Sequence, residues 1–129
     1  MKKLLSFMMI MPLLSGCFPA YIPNDIQNTA LIDLSELDRA NIRTENQTYS
    51  LMKDSQGYAR IPCGKPIILN HYYSDNLGLV TLECTTSFVF TPRRQQQYFA
   101  NFLIDEKICT LTIVKKDPKS KTGFSPIEE

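Results

Sequence analysis

Residues 79–90 alternate more cleanly than any other stretch of the chain. Val80, Leu82, Cys84, Thr86, Phe88 and Phe90 share one face. Thr81, Glu83, Thr85 and Ser87 share the other, with Leu79 and Val89 as the breaks. A period of two is that of a half-buried strand in an antiparallel sheet. Residues 98–104 and 108–114 read as two more strands joined by Asp105-Glu106-Lys107, with Cys109, Leu111 and Ile113 opposite Thr110 and Thr112. Near the start, Ala30, Ile32 and Leu34 alternate with Thr29, Asp33 and Ser35, Leu31 being the exception. This predicts a strand followed by an irregular turn. The competing reading is a short helical turn over 35–40, with Ser35-Glu36-Leu37-Asp38 as its cap.

Punctuation between these segments sets the remaining expectations. Residues 41–48 are polar and read as a loop. Residues 49–53 and 58–61 read as a hairpin around the tight turn Asp54-Ser55-Gln56-Gly57, where Gly57 can take a positive φ. Pro62-Cys63-Gly64-Lys65-Pro66 is a second break, residues 67–73 are β-rich, and Ser74-Asp75-Asn76-Leu77-Gly78 reads as a loop. Pro92 ends the long strand, and residues 116–129 are polar, contain Pro118 and Pro126, and read as a loose tail. The fold class expected is all-β: a small antiparallel β-sandwich of about seven strands, probed against the alternative of one sheet, which would leave an apolar face wet.

The N-terminus follows a different logic. Lys2 and Lys3 precede an apolar run over residues 4–14, interrupted by Ser6 and Pro12, and small residues Ser15 and Gly16 precede Cys17. That order is a secretory signal, and the run is shorter than the ~20 residues a spanning helix needs. Leu14-Ser15-Gly16-Cys17 resembles the lipobox of bacterial lipoproteins. The resemblance implies a lipid thioether on Cys17, cleavage before it, and acylation of the new amine. Such palmitate-type chains imply attachment to a membrane, since each buried CH₂ contributes about 0.8 kcal/mol and two or three chains release slowly. By the same resemblance, Phe18 rather than Asp at the second mature position favours the outer membrane. The expected organisation is a signal peptide over 1–16, a lipidated Cys and tether over 17–28, a β-sandwich over 29–115 and the tail over 116–129. Part of the tether packing as an edge strand is the alternative.

Cleavage leaves 113 of the 129 residues, enough for one core. The chain has 14 Lys and Arg against 13 Asp and Glu, and two of the lysines leave with the signal. The near-neutral remainder gives no reason to expect nucleic acid.

Three cysteines remain once Cys17 is committed to lipid: Cys63, Cys84 and Cys109. An oxidising compartment favours one bridge and leaves one thiol over. Cys84 and Cys109 both lie on apolar strand faces and are the first choice. Their bridge would close a loop of about 25 residues and contribute on the order of 3 kcal/mol. Cys63, in a Pro-Cys-Gly turn, is a free thiol or an alternative partner. The order Cys84, Ser87-Phe88, Pro92, Tyr98, Cys109-Thr110-Leu111 loosely resembles small periplasmic β-sandwich lipoproteins, a resemblance that implies no activity.

His71 is the only histidine, so a catalytic triad or a histidine-rich zinc site has little to draw on. No glycine-rich phosphate loop is present, and no metal or other cofactor is expected. Arg93-Arg94-Gln95-Gln96-Gln97 is a basic, amide-rich loop that could touch headgroups, glycan or protein, with simple solvation as the bland reading. The six tyrosines suit half-buried strand rims. The function expected is that of a non-enzymatic lipoprotein on the periplasmic side of the outer membrane, binding another envelope component. The rivals are a part of an envelope secretion or surface-assembly machine, an inhibitor of a periplasmic hydrolase or lysozyme, and, last, a small hydrolase using Asp and Tyr.

Overall fold

The computed structural model describes residues 18–127. The signal peptide over 1–16 and the lipidation site Cys17 lie outside the described residues. Among the described residues, nine strands form two sheets packed as a sandwich. They are β1 (Thr29–Asp33), β2 (Ala40–Thr44), β3 (Gln47–Ser50), β4 (Tyr58–Pro62), β5 (Ile67–Leu77), β6 (Val80–Phe90), β7 (Gln97–Asp105), β8 (Ile108–Lys116) and β9 (Phe124–Pro126). One sheet has the order β3-β2-β5-β6, the other β4-β1-β7-β8-β9. The pairings between named strands are antiparallel except β1 with β7, where Leu31, Ile32 and Asp33 run parallel to Gln97, Tyr98 and Phe99.

The alternation read from the sequence is the burial pattern of the core. Ala30 and Ile32 of β1, Ala59 and Ile61 of β4, Ile67 and Leu69 of β5, Tyr98 and Ala100 of β7, and Leu111 and Ile113 of β8 are all buried between the sheets. Leu34 and Leu37 fill the end of the core from the turn after β1, closed by Leu37 N–H donating to the Leu34 carbonyl at 2.9 Å. Lys53 Nζ donates to the Leu37 carbonyl at 2.6 Å. The irregular turn over 35–40 therefore replaces the competing helical reading.

Four local expectations are corrected. Residues 41–48 are not a loop: β2 and β3 form a hairpin with Ile42 opposite Tyr49, closed by Glu45 and Asn46 at φ 50° and 66°. Two consecutive positive-φ residues suit the right-handed twist of a two-residue hairpin. The expected partnership of 49–53 with 58–61 does not form, because β3 pairs with β2 while β4 pairs with β1 in the other sheet. The turn over 54–57 does form, with Asp54 Oδ1 accepting from Gln56 and Tyr58 N–H at 2.9 Å each. It carries the chain between sheets. Gly57 sits there at φ 88°, and a Cβ on it would meet Ser35 Cα at 3.2 Å.

The other two concern length. Residues 74–77 belong to β5, which turns into β6 through Gly78 and Leu79 alone. The polar tail contains β9, whose Ser125 lies opposite Lys115 of β8. At the other terminus, Pro19–Tyr21 of the expected tether packs along an edge strand, in keeping with the alternative reading of that segment. Ser50 N–H donates to the Pro19 carbonyl and Tyr21 N–H to the Ser50 carbonyl, both at 2.9 Å, in a parallel bridge along β3.

A candidate binding surface on two stapled hairpins

β5–β6 and β7–β8 are longer than the body they emerge from. β2 accompanies β5 only as far as His71, and β1 accompanies β7 only as far as Phe99. Beyond those levels each hairpin has one partner strand. Glu36, from the turn after β1, takes over where β1 stops, its carboxylate accepting from Phe102 N–H at 3.0 Å. The hairpins face each other, His71 meeting the Phe102 ring edge-on at 4.5 Å and Tyr73 meeting it at 5.4 Å. They point the same way, because Cys84, opposite Tyr73, is bonded to Cys109, opposite Ile104. The bridge expected between Cys84 and Cys109 is present, with Cα atoms 6.3 Å apart.

Apolar side chains gather at and past this staple. Leu79 in the β5–β6 turn is fully exposed, Val80 and Ile108 are exposed beyond the bridge, and Ile104 is exposed at its level; Leu103 and Tyr72 are exposed one residue below it, on different sheets. Glu106 and Lys107 close the second hairpin at φ 47° and 70°. Scattered exposed apolar residues are ordinary, but several on one projecting end form a surface suited to a partner.

His71 lies beneath the staple, 1% exposed. Its Nδ1 is 2.8 Å from the Arg39 carbonyl oxygen, which only accepts, so Nδ1 carries the proton. Nε2 and the Thr86 hydroxyl, on residues directly opposite in the β5–β6 register, are both buried without a hydrogen-bond partner among the described residues. His71 thus joins the turn before β2 to β5, a structural task. Among the described residues no three His, Cys, Asp or Glu side chains gather as metal ligands.

The second sheet is wider by one strand. Since β5 lies over β7 and β6 over β8, β9 extends past the β6 edge as a ledge. Between edge and ledge runs an apolar groove of about 620 Å³, lined among others by Phe88, Phe90, Arg93, Ile113, Pro126 and Ile127.

Of the other residues singled out in the sequence, Arg94 and Cys63 are engaged within the fold. Arg94 donates to Asn28 Oδ1, and Arg60 Nη1 to Thr29 Oγ1 at 3.0 Å. With Gln27 and Gln95–Gln97 they line a shallow groove of about 380 Å³, rich in amide donors. Gln95 takes φ 62° in that loop. Cys63 is a free, half-buried thiol packed against the core. Burial pushes its pKa up, against the opposing pull of Arg94, so it is held as a thiol.

Sequence reasoning missed one charged network. Lys116 of β8 reaches across β7 to Asp33 of β1 at 3.5 Å and donates to the Tyr58 hydroxyl of β4, its Nζ lying 4.6 Å from the Tyr58 ring centroid. That hydrogen bond chiefly raises the Lys116 pKa. Burial pushes Asp33 up, but hydrogen bonds from Ser35 and the charge of Lys116 outweigh it and leave the carboxyl below its ordinary value. The only sequence signal was polar residues on a face otherwise given to strands.

No family model, no curated protein and no solved structure matches the chain.

Proposed function

We propose that this is a non-enzymatic lipoprotein, anchored through Cys17 to the periplasmic face of the outer membrane, whose β-sandwich binds another component of the cell envelope. The lipobox resemblance supports the anchor. The observation that carries the binding role is the apolar end of the stapled hairpins and its position relative to the anchor. The residues from Phe18 to Tyr21 run parallel to β3 at the edge of the sheet opposite β6. Traced backwards from Ala20, the chain heads toward the Glu45–Asn46 turn, whereas β5 runs from that level to Leu77 at the other end. An anchor one residue before Phe18 therefore holds the sandwich with its hairpin ends directed away from the lipid. Residues 68–77 alone span about 30 Å at ~3.3 Å each. The exposed apolar end is then presented to a protein rather than to the bilayer that holds it.

The test is metabolic labelling with palmitate, followed by crosslinking in intact envelopes from a photoreactive residue at Leu79. Label in the wild type and none in Cys17→Ser is the expected result. A discrete crosslinked protein species from Leu79, absent from a probe placed at Thr48, completes it. Label persisting in Cys17→Ser, or lipid as the sole crosslinked product at Leu79, refutes the reading.

A further inference from the structure

The four outermost strands of the two sheets are not alike. β3 has four residues and is covered in part by the bridge from Ala20. β4 carries Arg60 and Pro62, and β9 has three residues ending in Pro126. Short strands, charge, proline and covering segments are the usual means by which an edge is kept from pairing with foreign chains. β6 has eleven residues, no proline, no lysine, no positive-φ residue and a single charge at Glu83. Its outer backbone groups have no strand partner among the described residues. It is also the edge that stands beside the ledge of β9, over a groove with an apolar floor.

From these we infer that the β6 edge accepts an extended segment of a partner protein as a fifth strand, completing the four-stranded sheet above β9. This deepens the binding role proposed above and relies on it for the identity of the occupant. Backbone N–H and C=O groups of β6 would supply affinity, and alternate side chains of the guest would enter the groove. Phe88, Phe90, Ile113 and Ile127 line that groove, so the inward guest side chains are apolar and of moderate size. Arg93 lies at the end of the groove beyond Phe90, exposed and with no carboxylate within ion-pair distance among the described residues. It fits a guest with an acidic residue there. For an antiparallel guest, the slightly more stable arrangement, that acid is at the N-terminal end.

A second copy is the other natural occupant of an open edge. Antiparallel pairing of two β6 strands about Thr85 sets Val80 against Phe90 and Glu83 against Ser87, with no like charges opposed. It also turns the two molecules end over end, placing their Phe18–Tyr21 segments at opposite ends of the joined sheet. Two chains held in one bilayer cannot adopt that arrangement, so the segment comes from a different protein.

The experiment uses the full chain purified in detergent and a synthetic octapeptide, one Asp followed by alternating Thr and Val, read by amide NMR shifts and fluorescence anisotropy. Saturable binding is expected, with shifts concentrated in β6 and around Ile113. N-methylation of alternate peptide amides on the pairing side should weaken binding at least ~10-fold, as the loss of several backbone hydrogen bonds requires. Val89→Pro should abolish it. Val89→Lys, which keeps the backbone N–H, covers the case in which the proline variant fails to fold, and should also weaken binding. Arg93→Glu should weaken the Asp peptide several-fold and leave its Asn counterpart unchanged. No saturable shift at millimolar peptide, equal binding of the N-methylated peptide, or shifts confined to Leu79 and Ile108 overturns the inference. So does a concentration-dependent dimer whose β6 amides are protected and which the peptide cannot dissociate. None of these outcomes depends on palmitate labelling, so a failed anchor and a failed edge are told apart.

Discussion

Replacing both Cys84 and Cys109 by Ala tests the staple directly. The bridge closes a segment of 25 residues' separation. In the chain-entropy relation, that length corresponds to about 3.5 kcal/mol at 25 °C. Part of this is offset, because the β7–β8 hairpin lies within the loop and is joined by a two-residue turn that forms locally even in a reduced chain. A net loss of about 2–3 kcal/mol is therefore expected. For a domain of this size it corresponds to a Tm drop on the order of 10 °C. The loss should not be spread evenly. Past His71 and Phe99 each hairpin has only its own two strands, and isolated two-stranded ribbons are marginal in water. Amides over 72–83 and 103–110 should exchange faster in the variant by a larger factor than the global loss explains. Those of Ile32 and Ile42 should follow the global change alone. Urea unfolding gives the total, and residue-resolved hydrogen exchange gives its distribution. A loss below about 0.5 kcal/mol, or acceleration equal at Ile42 and Leu82, would show that the hairpin ends hold together without the covalent link and refute the reasoning.

Further outcomes follow from other sites. Thr86→Val removes a buried hydroxyl that has no partner, and should stabilise the fold by up to about 1 kcal/mol in urea titration; a loss of that size would reveal a hydrogen bond to His71. Glu45→Asn with Asn46→Gly places the preferred residues at two positive-φ positions and should raise stability by about 0.5–1 kcal/mol, with circular dichroism unchanged. Lys116→Met should cost about 1–2 kcal/mol, since it strands the half-buried Asp33 carboxylate. The pH dependence has a fixed sign. Asp33, lowered in the folded state, contributes stability above the ordinary carboxylate pKa that is lost as pH falls through its folded value. Lys116, raised, contributes below the ordinary lysine pKa and loses its contribution as pH rises through its folded value. Melting curves from pH 2 to 7 should therefore slope less steeply in Lys116→Met, and an unchanged slope contradicts the pairing.

What could be read from the sequence was what the core dictates. β6, β7 and β8 alternate because one face of each meets the other sheet, and the same alternation placed Cys84 and Cys109 on inward faces. β2, the start of β3 and their pairing escaped because they form one flank of the smaller sheet. Among β2 residues only Ile42 is buried, and Glu45-Asn46 lacks the glycine that usually marks such a turn. Ser74, Asp75 and Asn76 looked like a loop for a different reason: they lie where β5 overhangs the body, so polarity there reports solvent around a ribbon and not a change of direction. β9 is three residues long, too short for any period to register. The width of the β9 ledge, which creates the groove beside β6, depends on strand order across the molecule and leaves no local trace.

The parallel pairing of β1 with β7 has a kinetic consequence. Leu31 must find Gln97, about half the chain away, whereas β5 finds β6 and β7 finds β8 across two-residue turns. Contacts separated so far in sequence form late, after nearby ones have reduced the search. Whether the polypeptide emerges from a ribosome or threads through a translocation pore, its earliest strand has to wait, unpaired on one side, until three quarters of the molecule has arrived. Ripening to the native state is thus timed by the last third of the chain, and any quality control acting on the nascent form meets β1 as its most enduring sticky segment.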